Sequence, residues 1–340
     1  MRFSNLLALA VGTVAGFAVA ELGLRIHFSW VDKDPAQQLA RTATSEPPPY
    51  SGGCSGAEPQ ATLGELIRPS RYSDVICELK PHLDTCYHGV RVRTNGEGLR
   101  APTSYRRPKP AGVHRILLLG DSQTFGQGVA YEHTFGRLLE REIARTGSEI
   151  EVINTGVDGY NTAQEAAHLL AYGMAYEPNC IVILSTGNDL ELPRFLLAPR
   201  NERAAGGSYL LEAVRQLWSR RTEADPLIPS HRIASPQAEG RVPPTYRHMV
   251  GIRSYRRALR LIADTAGEVP VINFADPEEI VRRETRGLQR QLRIILPEFR
   301  TPWRPEVWLS DENRHFNPQG HAELADRMLE SMRRQDVCLP

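Results

Sequence analysis

The run Arg115-Ile116-Leu117-Leu118-Leu119 ends directly in Gly120-Asp121-Ser122, and Gln123-Thr124-Phe125-Gly126-Gln127-Gly128 follows. A short branched apolar run closed by a glycine turn reads as a strand buried on both faces, and such strands belong to α/β sheets covered by helices on either side. The serine then stands at the strand's C-terminal edge, where open α/β sheets place their ligand crevices. A helix after the turn would aim unpaired backbone N–H groups at whatever the hydroxyl attacks. The same residues also suit a plain strand-to-loop turn in which Asp121 and Ser122 only cap the next segment. This stretch alone does not choose between a nucleophile mount and a cap.

Three later segments favour the mount. Residues 149–162 form a second strand that opens into a turn carrying Asn154, Gly156, Asp158, Gly159 and Tyr160. Residues 180–189 form a third buried strand ending in Gly187-Asn188-Asp189. Residues 311–321 place Asp311 and Glu312 ahead of His315, with Gly320 and His321 in a helix beyond. The order is Ser, Gly, Asn, then acid and His. This resembles the SGNH hydrolase superfamily, also called the GDSL family, over residues 112–336. The resemblance implies an α/β fold, a three-layer α/β/α sandwich of flavodoxin-like type with a mostly parallel five-stranded sheet.

The chemistry asks for these residue types. A serine hydroxyl is a poor nucleophile at neutral pH and needs a base within hydrogen-bond reach. His315 can take that proton and later pass it to the leaving alcohol, while a carboxylate fixes its tautomer and stabilises the imidazolium. The resemblance makes Ser122 the nucleophile, and makes the Ser122 N–H, the Gly159 N–H and the Asn188 amide the donors to the oxyanion. Gly156 is expected to shape the turn. Asn188 and Asp189 also suit a simple Asx-type turn.

The acid departs from the family pattern. An Asp three residues before the histidine is usual, and here that position is Glu312, with Asp311 one residue further back. Either can be the orienter; the shorter Asp311 loses less rotamer freedom when fixed. His315 and His321 do not have the i, i+4 spacing of a zinc-binding helix pair, so His321 is expected to pack near the site. Asp121 and Asp158 read as turn-stabilising carboxylates. No metal or organic cofactor is implied.

The N-terminus runs from Leu6 to Ala20 without a charge and resumes apolar character to Ile26. Fifteen such residues fit a signal-peptide core ending in Ala18-Val19-Ala20; counting to Ile26 approaches the length of a membrane span. The resemblance favours an uncleaved signal anchor with Arg2 on the cytoplasmic side. Either route places the remainder outside the cytoplasm, on the periplasmic side. Five cysteines leave at least one unpaired within the chain. Cys77–Cys86 is the expected bridge, Cys180 an inert core thiol, and Cys338 a partner for Cys54 only if the termini meet.

Acidic and basic residues nearly cancel at +1, so no global field would recruit nucleic acid. The expected organisation is a signal anchor or peptide over 1–26, a tether and small β-rich flank over 27–110, and the hydrolase domain over 111–340. Within the last, 190–248 is an insertion placed to be a lid or substrate wall. Strands are expected near 114–119, 150–154, 180–185, 270–274 and 306–309, with helices near 134–146, 162–174, 249–266, 277–293 and 318–334. The functional expectation is a serine esterase acting on short acyl groups, such as O-acetyl esters of cell-envelope or exported glycans. A polysaccharide O-acetyltransferase and a non-catalytic glycan-binding component are the alternatives.

Overall fold

The computed structural model describes residues 54, 57–197, 227–230, 242–275, 280–297 and 303–340. The flank opens with a helical turn α1 (Leu63–Leu66), followed by two antiparallel hairpins. These are β1 (Ile67–Pro69) with β2 (Cys77–Leu79), and β3 (Asp84–Tyr87) with β4 (Val90–Arg93). His88 and Gly89 form the second turn with φ of 49° and 77°, the left-handed pair that matches strand twist in a two-residue hairpin.

The larger unit then alternates β5 (His114–Leu119), α2 (Ser122–Phe125), α3 (Phe135–Ala144), β6 (Ile150–Asn154), α4 (Thr162–Ala171) and β7 (Cys180–Ile183). A short hairpin β8 (Phe195–Leu197) with β9 (Leu227–Pro229) comes next. After it come α5 (Gly251–Ala266), β10 (Val271–Asn273), α6 (Ile280–Leu292), β11 (Ile294–Ile295) and α7 (Pro318–Gln335). The sheet order is β11-β10-β7-β5-β6 and every neighbouring pair is parallel. The chain adds β6 on one side of β5 and β7 on the other. Such a reversal leaves a crevice at the C-terminal strand ends.

Alternation along the strands builds two cores. Leu117, Leu119, Ile153, Ile181 and Ile183 face one way, against Leu169 of α4, Leu259 and Ile262 of α5, and Leu288 of α6. Ile116, Leu118, Val152, Val182 and Ile272 face the other way, against Leu139 of α3 and Leu324, Met328 and Met332 of α7. Each such side chain, once fully buried, contributes about 1.5–3 kcal/mol. A third cluster joins the flank (Leu66, Ile76, Leu79, Val92) to Phe125, Val157 and Tyr160. The β-rich flank therefore packs on the segments that carry the site.

Two expectations need correction. The fifth strand is Ile294–Ile295, not the segment near 306–309. Arg293, with φ of 55°, turns the chain out of α6 straight into the sheet edge. Pro305–Val307 forms a 3-10 turn instead, and Trp308 makes one isolated bridge to Phe316.

The cysteine pairing also differs: the disulfides are Cys54–Cys86 and Cys180–Cys338. Cys77 is the free thiol; it is buried under the flank, and burial pushes its pKa up to about 12. Cys180 opens β7 beside the chain end, where the Cys338 carbonyl also lies 3.1 Å from His114 Nε2. Replacing both Cys180 and Cys338 by alanine is expected to cost about 2–5 kcal/mol, because the bridge closes a long loop in the unfolded chain. A lowered urea midpoint checks this; an unchanged midpoint contradicts it. Among the described residues no helix is long and apolar enough to cross a membrane; residues 1–26 lie outside them.

Candidate active site

Gly120 ends β5, Asp121 accepts the Gln123 N–H at 3.0 Å as the helix cap, and Ser122 becomes the first residue of α2. The cap and the short helix hold the serine at the sheet's C-terminal edge, 6 % exposed. His315 arrives from the loop before α7. That helix starts where Pro318 fits the first turn and the Asn317 side chain accepts the Gly320 N–H. Far apart in the chain, His315 Nε2 and Ser122 Oγ lie 2.7 Å apart.

Gln123, the serine's neighbour, clamps the histidine loop. Its Nε2 donates to the Arg314 carbonyl at 2.9 Å and its Oε1 accepts the Phe316 N–H at 3.1 Å. The backbone on both sides of His315 is thus tied to α2. Nothing in the sequence marks this glutamine, because its bonds run to main-chain atoms of a distant segment.

The partner of His315 Nδ1 is Asn313, whose Oδ1 lies 2.5 Å away. An amide oxygen only accepts, so Nδ1 carries the hydrogen and Nε2 keeps its lone pair for the Ser122 hydroxyl. Neither Asp311 nor Glu312 hydrogen-bonds His315. Both are exposed and line the mouth of the cleft. This corrects the expectation of a carboxylate orienter. The Ser310 Oγ accepts the Asn313 N–H at 3.0 Å, and the tight loop turns residue 313 inward while 311 and 312 point to solvent.

Burial holds the His315 imidazole below its usual 6.5, opposed by the charges of Asp158 and Asp121. These carboxylates favour the imidazolium through space, which a neutral amide does less well. Asp158 is itself fixed: the Tyr87 hydroxyl donates to it at 2.5 Å and Arg194 pairs with it at 3.2 Å. Asp121 is buried, and burial raises its pKa against the pull of its Asn188 hydrogen bond. Asp189 and Glu165, also buried nearby, are raised well above the carboxylate range by desolvation.

The expected oxyanion groups line the same cleft as Ser122 and His315. The Asn188 Nδ2 donates one hydrogen to Asp121 Oδ2 at 2.7 Å, which leaves its second hydrogen and an exposed edge. The Ser122 and Gly159 N–H groups have no intramolecular acceptor among the described residues. Gly159 has φ of 79°, and a Cβ there would lie 2.5 Å from Arg194 Cβ, so only glycine fits. Gly156 answers to close approach rather than to a strained turn: a Cβ would lie 2.6 Å from the Phe125 N. Asn154 bolts this loop to α2 by donating to the Thr124 carbonyl at 2.6 Å.

The flank reaches α2 as well. Arg100, 1 % exposed, donates to the carbonyls of Phe125, Gly126 and Val129 at 2.6–2.8 Å, and burial pushes its pKa down to about 10. His321 packs behind the site: its Nδ1 accepts the Phe135 N–H at 3.1 Å and burial depresses its pKa to about 3.

The cleft encloses about 1010 Å³. Trp303, Trp308 and Phe316 make an aromatic wall, with the last two rings stacked at 4.8 Å. Leu192, Arg194 and Ser230, at the base of the insertion, form part of another wall; residues 198–226 and 231–241 of the expected lid lie outside the described residues. Among the described residues, Cys54, Glu58 and Cys86 are the one grouping close enough to hold a metal, and a disulfide already joins its two sulfurs.

The GDSL-like lipase/acylhydrolase family model matches residues 118–323. No curated protein sequence matches the chain. Among solved structures, a lipase/acylhydrolase from Enterococcus faecalis is 16 % identical with a TM-score of 0.41, covering 65 % of this chain and 96 % of its own. A family 3 carbohydrate esterase from Clostridium thermocellum is 12 % identical with a TM-score of 0.38, covering 65 % and 96 %. An acetyl xylan esterase, Axe2, from Geobacillus stearothermophilus is 13 % identical with a TM-score of 0.40, covering 64 % and 94 %. The match spans more than half of the chain and includes the serine, glycine, asparagine and histidine blocks: the chain belongs to the GDSL-like lipase/acylhydrolase family, serine hydrolases that act on ester bonds.

Proposed function

We propose that Ser122 attacks the carbonyl carbon of a carboxylic ester while His315 Nε2 takes the hydroxyl proton. The negative charge moves to the carbonyl oxygen, which the Ser122 N–H, the Gly159 N–H and the free Asn188 amide hydrogen stabilise. His315 then gives its proton to the leaving alcohol, and the acyl-enzyme forms. Water repeats the sequence and releases the acid. The observation that carries this reading is the 2.7 Å contact between His315 Nε2 and Ser122 Oγ in a cleft open to substrate.

Asn313 is the orienter in this reading. Asn313→Ala is expected to lower kcat by about 100-fold through loss of the correct tautomer, while Asp311→Asn and Glu312→Gln, exposed at the rim, stay within about threefold. A larger loss at either carboxylate than at Asn313 overturns the assignment. The base must be neutral to act, and burial depresses the His315 pKa. The acid limb of kcat/KM should therefore have its midpoint below pH 6.5; a midpoint above that value contradicts the environment described.

The substrate in this reading is a short acyl ester, O-acetyl above all, on an envelope or exported glycan. Two disulfides suit an oxidising compartment, and the apolar N-terminal run suits a signal anchor, which together support a periplasmic, membrane-tethered enzyme. Supplying acetylated glycan and an unacetylated acceptor, then measuring free acetate against acetate on the acceptor, tests it. Predominant release supports the esterase; predominant transfer makes the protein an O-acetyltransferase. A neutral Asn313 beside the base favours a second reading, a glycan-binding component without turnover. Binding without either product would establish that one.

A further inference from the structure

His315 becomes an imidazolium whenever it takes the Ser122 proton, yet its Nδ1 faces the neutral Asn313 amide at 2.5 Å. A carboxylate stabilises that cation far better than an amide oxygen does. The charge has to come from elsewhere in the cleft.

The groups that face the ring belong to several elements. Asp158 stands in the 155–160 loop, Asp121 caps α2, and Arg194 begins the insertion; Asp158 is the strongest of the favourable charges and Arg194 opposes it. Burial favours the neutral rings of His88 in the flank and His321 in α7. Asp311, Glu312 and Arg314, in the histidine's own loop, are exposed.

Asp158 is held as a fixed anion. Its side chain is 1 % exposed and lines the same cleft as His315. One oxygen accepts the Tyr87 hydroxyl at 2.5 Å and the other accepts Arg194 at 3.2 Å. Burial and the adjacent carboxylate keep Tyr87 protonated, so its O–H is available to donate. Arg194 is 59 % exposed, so water screens it, whereas the buried carboxylate acts through a lower dielectric. Tyr87 ends β3 of the flank, outside the 118–323 stretch matched by the family model.

We propose that Asp158 is a positioning residue for His315: fixed by Tyr87 of the flank, it supplies through space the negative charge that Asn313 lacks and stabilises the imidazolium. This rests on the esterase reading above. No proton passes to Asp158, since each of its oxygens already accepts a hydrogen bond.

NMR titration of the His315 ring, in the full chain with isotope-labelled histidine, tests this without turnover; His315→Ala assigns the signal. Asp158→Asn removes the favourable charge and should move the midpoint to lower pH. Arg194→Ala removes the opposing charge, keeps the main-chain bond to Gly159, and should move it to higher pH. On p-nitrophenyl acetate, Asp158→Asn should lower kcat by about tenfold with KM little changed. In an Asn313→Asp background, where a carboxylate serves Nδ1, the same change should stay within about threefold. A merely structural Asp158 gives equal losses in both backgrounds. That result overturns the proposal, as does a midpoint in Asp158→Asn at or above that of the unaltered chain. Should Asp158→Asn not fold, Arg194→Ala decides, and a midpoint that stays or falls overturns it. An unaltered chain without esterase activity, whose His315 midpoint still moves as expected in the variants, would refute the esterase reading alone.

Discussion

Ser122→Ala is expected to lower ester turnover by about 10⁴- to 10⁶-fold, and His315→Ala by a similar factor, because the two act as one unit. The alanine removes the oxygen that His315 Nε2 contacts in the cleft; the imidazole alone has no substrate-side nucleophile to activate. The double variant should be no worse than either single one. Additive losses would mean that the two groups work independently, which their 2.7 Å contact does not allow. Initial rates on p-nitrophenyl acetate, corrected for spontaneous hydrolysis, measure all three. A Ser122→Ala rate within about threefold of the unaltered enzyme contradicts the assignment, since loss of a true nucleophile costs orders of magnitude.

The second large effect belongs to Asn188→Ala, at about 100- to 1000-fold in kcat with KM little changed. The ground-state carbonyl carries little charge, so the amide's contribution appears only as the oxyanion forms. Asp121 Oδ2 fixes one amide hydrogen at 2.7 Å, which preorganises the other before substrate arrives. Because the Asn188 side chain also donates to buried Asp121, the variant should melt somewhat lower yet remain folded, which a cooperative melt checks. A drop in kcat below about threefold, or an equal rise in KM alone, would remove Asn188 from the oxyanion site.

Much of the fold was legible because its central strands are buried on both faces. Runs such as Ile116–Leu119 and Ile181–Ile183 leave few other places for a chain to put them. The strand at Ile294–Ile295 was not legible: two residues carry no period, and the apolar stretch near Val307 competes for the same role. The site divides along a similar line. Ser122, Gly159, Asn188 and His315 stand at strand ends or a helix entry, where element boundaries dictate position, and they meet in one cleft. Asn313 lies in an irregular loop, where spacing has no fixed relation to side-chain direction, so the sequence points to the carboxylates at 311 and 312 instead. Gln123 and Arg100 act on backbone carbonyls and amides, groups that every residue carries and no pattern distinguishes. The disulfides pair cysteines 32 and 158 residues apart; only the folded path brings them together.

Mass spectrometry after treatment with a fluorophosphonate reports most directly on whether Ser122 is activated by His315. One phosphonyl group should appear on the peptide that contains Ser122, and labelling should be lost in His315→Ala while that variant remains folded. An unlabelled chain, or an adduct on another residue with Ser122 untouched, would contradict the account.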